Sequence, residues 1–335
     1  MLIFLMRRTL LAVPTLFAVS CVIFILIKCV PGDAARLALG EKASEEVLAD
    51  YRQQLGLDRP LLIQYGLFLQ RFILHADLGN SIRSGEAVTE IIAAKFPATF
   101  ELALCAMLLA IFGGVLAGTI AAIRPKGFLD MIIMGASVTG VSMPVFWLGL
   151  LLMWFLGLEM GWLPLSGRFA ATLEYQSQTG FLLLDAAIAG NVPLLLDGLH
   201  HLILPALTLA SIPLAFLARM TRSALLDVMK KDYIRTARAK GADGKLLFFR
   251  HGLRNAAIPI INISGLQFGG LLAGAMITET VFSWPGMGRW ILESVHSRDI
   301  PAMQGGVLTI ALTFIVINTL TDILFTLADA RVKVS

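Results

Sequence analysis

Catalysis leaves marks in residue spacing, and the common ones are missing from these 335 residues. No Lys is followed by Ser or Thr, so the GxxxxGK[ST] loop that cradles nucleotide phosphates cannot form, and any ATP chemistry belongs to a partner. The five histidines contain no HExxH pair, and no GxSxG elbow occurs. An intramembrane serine protease would need a Ser and a His facing each other in lipid; Ser264 is available, but His200 and His201 stand at the end of an apolar run. Cys21, Cys29 and Cys105 lie in or beside apolar runs with no paired spacing, so they read as packing residues. No catalytic residue, metal ligand or resident cofactor is assigned.

The ionisable residues narrow the mechanism further. Ion-coupled carriers keep charges within their spans because a charge in lipid is retained only when it has a task. Here the centres of the apolar runs are uncharged, and Glu279 and Asp322 sit near run ends. Polar, uncharged side chains remain in Ser137, Thr139 and Ser142, in Asn262, Ser264 and Gln267, and in Asn318. From these and Glu279 a candidate translocation path is drawn through Ser142, Asn262, Ser264, Gln267, Glu279 and Asn318, with hydrogen bonding between helices as the alternative role.

One polar segment stands out. Thr221 to Ala256 is rich in Arg and Lys and reads as two helical stretches around Gly241-Ala242-Asp243-Gly244. In its first arm Ala237 and Gly241 fall one turn apart, leaving a small-residue face that another backbone could approach. The second arm carries Leu246, Leu247, Phe248 and Phe249, more apolar surface than a solvated loop needs. A loop resting on anionic headgroups explains the charges but not the glycine turn.

The elements that hold this hairpin must lie in a membrane. With 57% hydrophobic and 15% charged residues and a mean hydropathy of +0.79, the chain has too little polar surface for a water-soluble globule. Runs of roughly 20 uncharged residues predict six spans near 9–29, 101–123, 131–158, 199–218, 256–278 and 303–327. The stretch 181–196 is interrupted by Asp185, Asn191 and Pro193 and reads as interfacial or re-entrant. Pro14, Pro144, Pro205 and Pro213 lie inside spans, where they would bend helices. Arg7 and Arg8 before Thr9–Ile27 could open a signal peptide, but the run is long enough to span and no A-x-A site follows, so an uncleaved helix is expected. A lipoprotein-like site before Cys21 is a loose match.

A pI of about 9.1 and a net charge of +4 could suggest nucleic acid. Orientation explains them instead, and no nucleic-acid partner is expected. With both termini cytoplasmic, the short inner segments carry 16 basic residues, ten of them between Arg219 and Arg254, against Arg168, Arg289 and Arg298 outside. The predicted organisation is an all-α polytopic membrane protein in three parts. Residues 1–30 form the N-terminal end and first span, and 31–97 an extracytoplasmic insertion. Residues 98–335 form a five-helix core with a cytoplasmic loop 219–255 and an outer segment 159–198. Within the insertion, 44–55 and 61–74 have helical spacing around the Gly56–Pro60 breaker.

The hairpin Asp232-Tyr233-Ile234-Arg235-Thr236-Ala237-Arg238-Ala239-Lys240-Gly241, with His251-Gly252-Leu253-Arg254-Asn255-Ala256-Ala257-Ile258-Pro259, resembles the EAA loop of permease subunits of ATP-binding-cassette importers, in its dipeptide and oligopeptide branch. It departs from the general pattern by Arg235-Thr236-Ala237 in place of Glu-Ala-Ala and by a later proline, as that branch does. The likeness runs on through Arg7-Arg8, Pro31-Gly32-Asp33, Leu55 to Pro60, Asp77 to Ser81, Arg219 to Ser223 and Thr278 to Trp290. Thr179-Gly180-Phe181 with Asp185 is similar to the B-type dipeptide permease subunits in particular.

The resemblance implies a type I importer permease fold with six transmembrane helices, in the bacterial inner membrane among its lipids. Implied partners are a second homologous permease, two ATPase subunits holding ATP and Mg, and a periplasmic peptide-binding protein. Arg235, Thr236, Ala237, Arg238, Gly241, Arg254 and Asn255 would contact an ATPase. Phe282, Trp284, Pro285, Gly286, Gly288 and Arg289 would form an outer access loop for the binding protein or the peptide, unless the aromatics are a membrane-interface belt. Dipeptides are the expected substrate; oligopeptides, glutathione and nickel chelates share the architecture. An ion-coupled carrier and a membrane enzyme are the remaining alternatives.

Overall fold

The computed structural model describes residues 2–29, 36, 44–56, 58–75, 77–244 and 247–328. Pro31 to Asp33, Leu57, Lys245, Leu246, Arg331 and Lys333 lie outside the described residues, as do the side chains of Arg7, Arg8 and Cys29. The helices are α1 (Leu2–Cys29), α2 (Glu45–Leu55), α3 (Leu61–His75), α4 (Val88–Ile123), α5 (Phe128–Ser142), α6 (Val145–Leu152), α7 (Leu182–Ile188), α8 (Val192–Met229), α9 (Asp232–Ala239), α10 (Arg254–Val281), α11 (Met287–Ser297) and α12 (Ile300–Ala328). Wider π turns extend α6 over Met153–Glu159 and precede α10 over Leu247–Leu253. Among the described residues, extended pairing is confined to a bridge between Asn80 and Ala87.

Residues in contact divide into two compact units, Met1–Pro97 with Gly286–Thr313, and Ala98–Pro285 with Phe314–Ser335. In the first, the two predicted helices of the insertion form within a residue of their expected ends. Ser44 caps α2, its Oγ accepting from Val47 N, and Gly56 ends it at φ +68°, where its N–H reaches the Arg52 and Gln53 carbonyls. Helix α3 lies on α1 through Tyr65, whose hydroxyl is 2.7 Å from Ser20 Oγ and whose ring is 5.3 Å from that of Phe24. Asp299, buried, gathers Ser81 Oγ at 2.5 Å and the N–H groups of Ile82, Arg83 and Ala302 at 3.1–3.3 Å, tying the 80–87 turn to the start of α12.

The second unit is built around α8. This 38-residue helix runs on through Pro205 and Pro213, and 61% of its most apolar stretch is buried. Helix α4 presses on it at two glycines: a Cβ on Gly114 would lie 2.8 Å from Leu214 O, and one on Gly118 2.4 Å from Ala218 O. Only hydrogen fits there. Helices α10 and α12 meet the same way, with Gly265 against Thr321 and Gly269 against Phe314. The small-residue seams let helices in hydrocarbon gain dispersion contact that no hydrophobic effect supplies.

Among the described residues, four helices are long and apolar enough to cross a membrane, at 88–123, 192–229, 247–281 and 300–324. The pair α5 and α6 makes a fifth if counted as one broken span, bent by 109° where Pro144 interrupts the ladder. Helix α1 is helical over the predicted first span, and its described side chains form the apolar stretch Val13–Ile25. The predicted fourth span, 199–218, is longer at both ends in α8. The stretch 181–196 becomes α7, a turn at Gly190 with φ +64°, and the capped start of α8, where Asn191 Oδ1 accepts from Leu194 N at 3.1 Å. Large apolar side chains such as Phe112, Phe128 and Leu116 are exposed along the spans, as expected of a surface whose solvent is lipid.

Candidate functional site

The hairpin folds as its residues suggest. In α9 only Ile234 is buried; Arg235, Thr236 and Arg238 are exposed and Ala237 is half-buried. Thr236 Oγ1 donates to Asp232 O at 3.0 Å, and Arg235 lies 3.7 Å from the Asp232 carboxylate in the open, an ion pair of little energetic weight. The helix stops at a turn that closes its own hydrogen bonds: Gly241 N donates to Arg238 O at 3.0 Å and Ala242 N to Ala237 O at 3.2 Å. This requires Gly241 at φ +85°, a conformation that a side chain disfavours, and the space around its Cα is open.

The return arm packs on the end of α8. Leu247 and Gly252 are buried, and a Cβ at Gly252 would stand 3.4 Å from Met229 Sδ and 3.5 Å from Leu225. Phe248 and Phe249 meet edge to face at 5.4 Å, with Phe249 exposed. Arg254 and Asn255 are exposed at the head of α10, where Asn255 Nδ2 donates to His251 O at 2.6 Å. Thr236, Ala237 and Gly241 are therefore gathered at one capped tip, and Arg254 and Asn255 stand at the far end of the return arm.

The access loop is placed differently. Phe282 and Trp284 are 1% and 0% exposed, so neither ring faces outward. Trp284 Nε1 donates to Ala98 O at 2.9 Å, and the Phe282 ring lies where a Cβ on Gly149 would meet it at 3.2 Å. Phe282 O also accepts from Gly167 N at 3.0 Å. Pro285 is exposed, while Gly286 and Gly288 are buried at the start of α11 and Arg289 Nε pairs with Glu293 at 2.9 Å on its surface.

The candidate translocation residues differ in burial and in hydrogen bonding. Ser142 is exposed and its Oγ donates to Val138 O at 2.9 Å, while Ser137 and Thr139 likewise bond within α5. Asn262 is exposed; Ser264 and Gln267, three residues apart and so on one helix face, are half-buried, as is Asn318. Glu279 is fully buried and accepts from Thr99 Oγ1 at 2.5 Å.

Charge is instead concentrated at buried contacts far apart in sequence. Arg168 and Glu101 form a buried ion pair at 2.6 Å; Arg168 also donates to Gly180 O at 2.9 Å, and Glu101 accepts from Leu183 N at 2.8 Å. Arg168 and Leu183 N thus fix the 160–183 segment to Glu101 of α4, while the bond to Gly180 O closes the segment on itself. Breaking such a pair from one side costs about 3–5 kcal/mol because the other charge is left buried. Asp185 accepts Thr179 Oγ1 at 2.6 Å, Tyr175 OH at 2.8 Å and the N–H groups of Gln178, Thr179 and Gly180. Burial alone would raise its pKa, but the bonds from Thr179 and Tyr175 hold it down to about 2. Arg222 grips Asp130 with both Nε and Nη2. Sequence reading counted Arg168 as a topological charge and Arg222 as one within a family-like stretch; their partners, 67 and 92 residues away, leave no local signal.

Long apolar helices around α8 with one exposed, self-capped hairpin define the class: a polytopic helical membrane component that presents an interaction element outside the spans. The chain belongs to the family of binding-protein-dependent transport system inner membrane components, which matches residues 114–334, with the family's N-terminal region matching residues 1–103. It is 44% identical over 334 residues to the di/tripeptide transport system permease protein DppB of Pseudomonas aeruginosa (strain UCBPP-PA14), covering 99% of both chains. It is 41% identical over 337 residues to the dipeptide transport system permease protein DppB of Escherichia coli (strain K12), again covering 99% of each. The glutathione transport system permease protein GsiC of Pectobacterium atrosepticum is 41% identical over 333 residues and 99% of both chains. A chain of the methionine ABC transporter MetNI, in an inward-facing conformation, shares the fold at a TM-score of 0.53 and 14% identity, covering 72% of this chain and 97% of that one. The chain is thus a permease component of an ABC transporter with the type I importer fold, embedded in the inner membrane; ATP hydrolysis falls to separate subunits.

Proposed function

We propose that this chain is one of two permease halves of an ATP-driven importer that moves dipeptides, delivered by a periplasmic binding protein, across the inner membrane. The observation that carries this is likeness from end to end: dipeptide permeases at 41–44% identity match 99% of the chain. In this reading α1 is the first of six spans and α5 with α6 is the third, broken, one. Both termini are cytoplasmic, 31–97 is a periplasmic insertion, and 98–335 is the permease core with 159–198 outside.

The hairpin 219–255 docks on one of two ATPase subunits, which hold ATP and Mg, and a second homologous permease completes the pore. Thr236, Ala237 and Gly241 make the small-residue contact, flanked by Arg235 and Arg238, with Arg254 and Asn255 steadying the return arm. The capped tip supports this reading because it is exposed, small at Ala237 and Gly241, and basic around them. Residues 282–289 shape the outer end by packing, since Phe282 and Trp284 face inward. Ser142, Asn262, Ser264, Gln267, Glu279 and Asn318 remain proposed as path residues, with only Ser142 and Asn262 exposed in the conformation described. Glutathione is the second substrate reading, favoured by the 41% identity to a glutathione permease.

The test is purification in mild detergent from the native membrane, identification of co-purifying chains, and ATP hydrolysis with dipeptide, glutathione or neither in the presence of the binding protein. A second permease and P-loop ATPases should accompany the chain, and dipeptide should raise hydrolysis more than glutathione does. A lone chain that transports in liposomes without ATP would sink the proposal. Gly241→Glu should separate hydrolysis from uptake; Gly241→Asn, which tolerates positive φ, isolates the contact from the turn.

A further inference from the structure

Near the end of α8 that carries the hairpin, a side-chain fork joins that helix to the start of the broken helix. Arg222 lies seven residues before the last residue of α8, and its Nε and Nη2 donate to Asp130 Oδ1 and Oδ2 at 2.5 and 2.7 Å. Asp130 is in the first turn of α5, is 5% exposed, and takes a third bond from Lys126 N at 2.7 Å, in the turn that links α4 to α5. The fork therefore holds three things at once: the stem of the hairpin, the α4–α5 turn, and the start of the helix that breaks at Pro144.

Apolar helix contacts permit small sliding shifts, whereas a bidentate guanidinium–carboxylate pair allows one register. Beside the fork the packing has a feature that fits a contact with more than one arrangement. The span threonines Thr208, Thr309, Thr313, Thr319 and Thr321 each donate to the carbonyl four residues back at 2.7–2.8 Å. Thr221, which meets Gly118 at the α4–α8 contact, is buried with its hydroxyl unbonded, as is Thr119, the residue after Gly118. Unsatisfied buried hydroxyls make this arrangement one that a shift of α8 along α4 can leave without losing hydrogen bonds.

We propose that Asp130 and Arg222 are positioning residues for transport: they carry movement of the hairpin stem into the α4–α5 turn, and so into the 109° break between α5 and α6. This rests on the importer reading above. The return arm packs at Gly252 against Leu225 and Met229, just beyond Arg222, which ties the hairpin to that end of α8. The fork touches no substrate; it sets which register of α5 accompanies each position of α8.

The test compares the assembled complex with wild-type chain, Asp130→Asn, Arg222→Gln, Arg222→Lys and the double variant Asp130→Asn/Arg222→Gln. Each is reconstituted with binding protein and dipeptide, and both ATP hydrolysed and peptide taken up are measured. Expected are normal assembly and basal hydrolysis, with peptide moved per ATP falling about tenfold in Asp130→Asn and Arg222→Gln, within the usual range of coupling energies. Arg222→Lys keeps the charge but cannot make the two-pronged contact, so it should recover little of that ratio, and full recovery would overturn the fork's role. Where a single variant fails to assemble, the double variant decides, since it leaves no unpaired buried charge. A lowered ratio in an assembled double variant supports the proposal; an unchanged ratio, or no assembly, makes the pair a structural staple and overturns it. A wild-type complex without peptide-stimulated hydrolysis would instead overturn the importer reading.

Discussion

Asp185 has a carboxylate whose surroundings come almost entirely from the ten residues before it. Burial opposes its charge, yet the hydroxyls of Thr179 and Tyr175 and nearby N–H groups hold its pKa at about 2. Because the folded value lies below the unfolded one of about 3.9, the stabilisation is complete above that value and fades as pH falls from about 4 towards 2. Asp185→Asn should therefore unfold at a lower temperature than wild type at pH 7 in nanodiscs, and the gap should close between pH 4 and pH 2. A gap that does not change with pH would contradict this. Sequence resemblance marked Thr179, Gly180, Phe181 and Asp185, but not the bonds that unite them. Glu101 with Arg168 was still less legible, since a partnership across 67 residues has no spacing to read.

At the scale of elements, legibility followed periodicity. Helices α2 and α3 ended within a residue of where Ser44, Gly56 and Pro60 place them, because caps and breakers act locally. Pro144 announced a break, but its 109° angle is fixed by packing against neighbours that the sequence does not name. The inward-facing Phe282 and Trp284 were missed for the same reason: an aromatic near a span end reads alike whether it meets headgroups or a neighbouring helix. Packing also decides which glycines are indispensable. Gly118→Val would place a Cβ 2.4 Å from Ala218 O, and backbone cannot yield; a loss of about 1–3 kcal/mol or more is expected, seen as a lower unfolding temperature. Gly135, with open space around it, should accept Ala without loss. Equal effects at the two positions would mean that the α4–α8 seam does not support the unit.

For the whole molecule the strongest expectation concerns sidedness. In the proposed topology, which rests on the bias of basic residues, the hairpin lies inside and the 159–198 segment outside. In a background lacking the native cysteines, a membrane-impermeant maleimide should label Gln176→Cys in spheroplasts, and Lys240→Cys only after the membrane is opened; both positions are exposed. Labelling of both from one side would remove the topology. Family and architecture were legible because lipid imposes long uncharged runs and the hairpin motif is specific. Substrate was not, because peptides offer a polar cavity donors and acceptors that no residue type in the spans singles out.

The turn at Gly241 satisfies its own carbonyls, so in the proposed docking the tip is already folded when an ATPase reaches it. Fixing a loop residue's backbone on docking costs about 1–2 kcal/mol each, and a tip already fixed avoids most of that loss. Subunits can then associate quickly and separate again, with affinity set by surface fit rather than by folding upon contact. A chain inserted into the membrane first can wait, ready, for the motors that drive it.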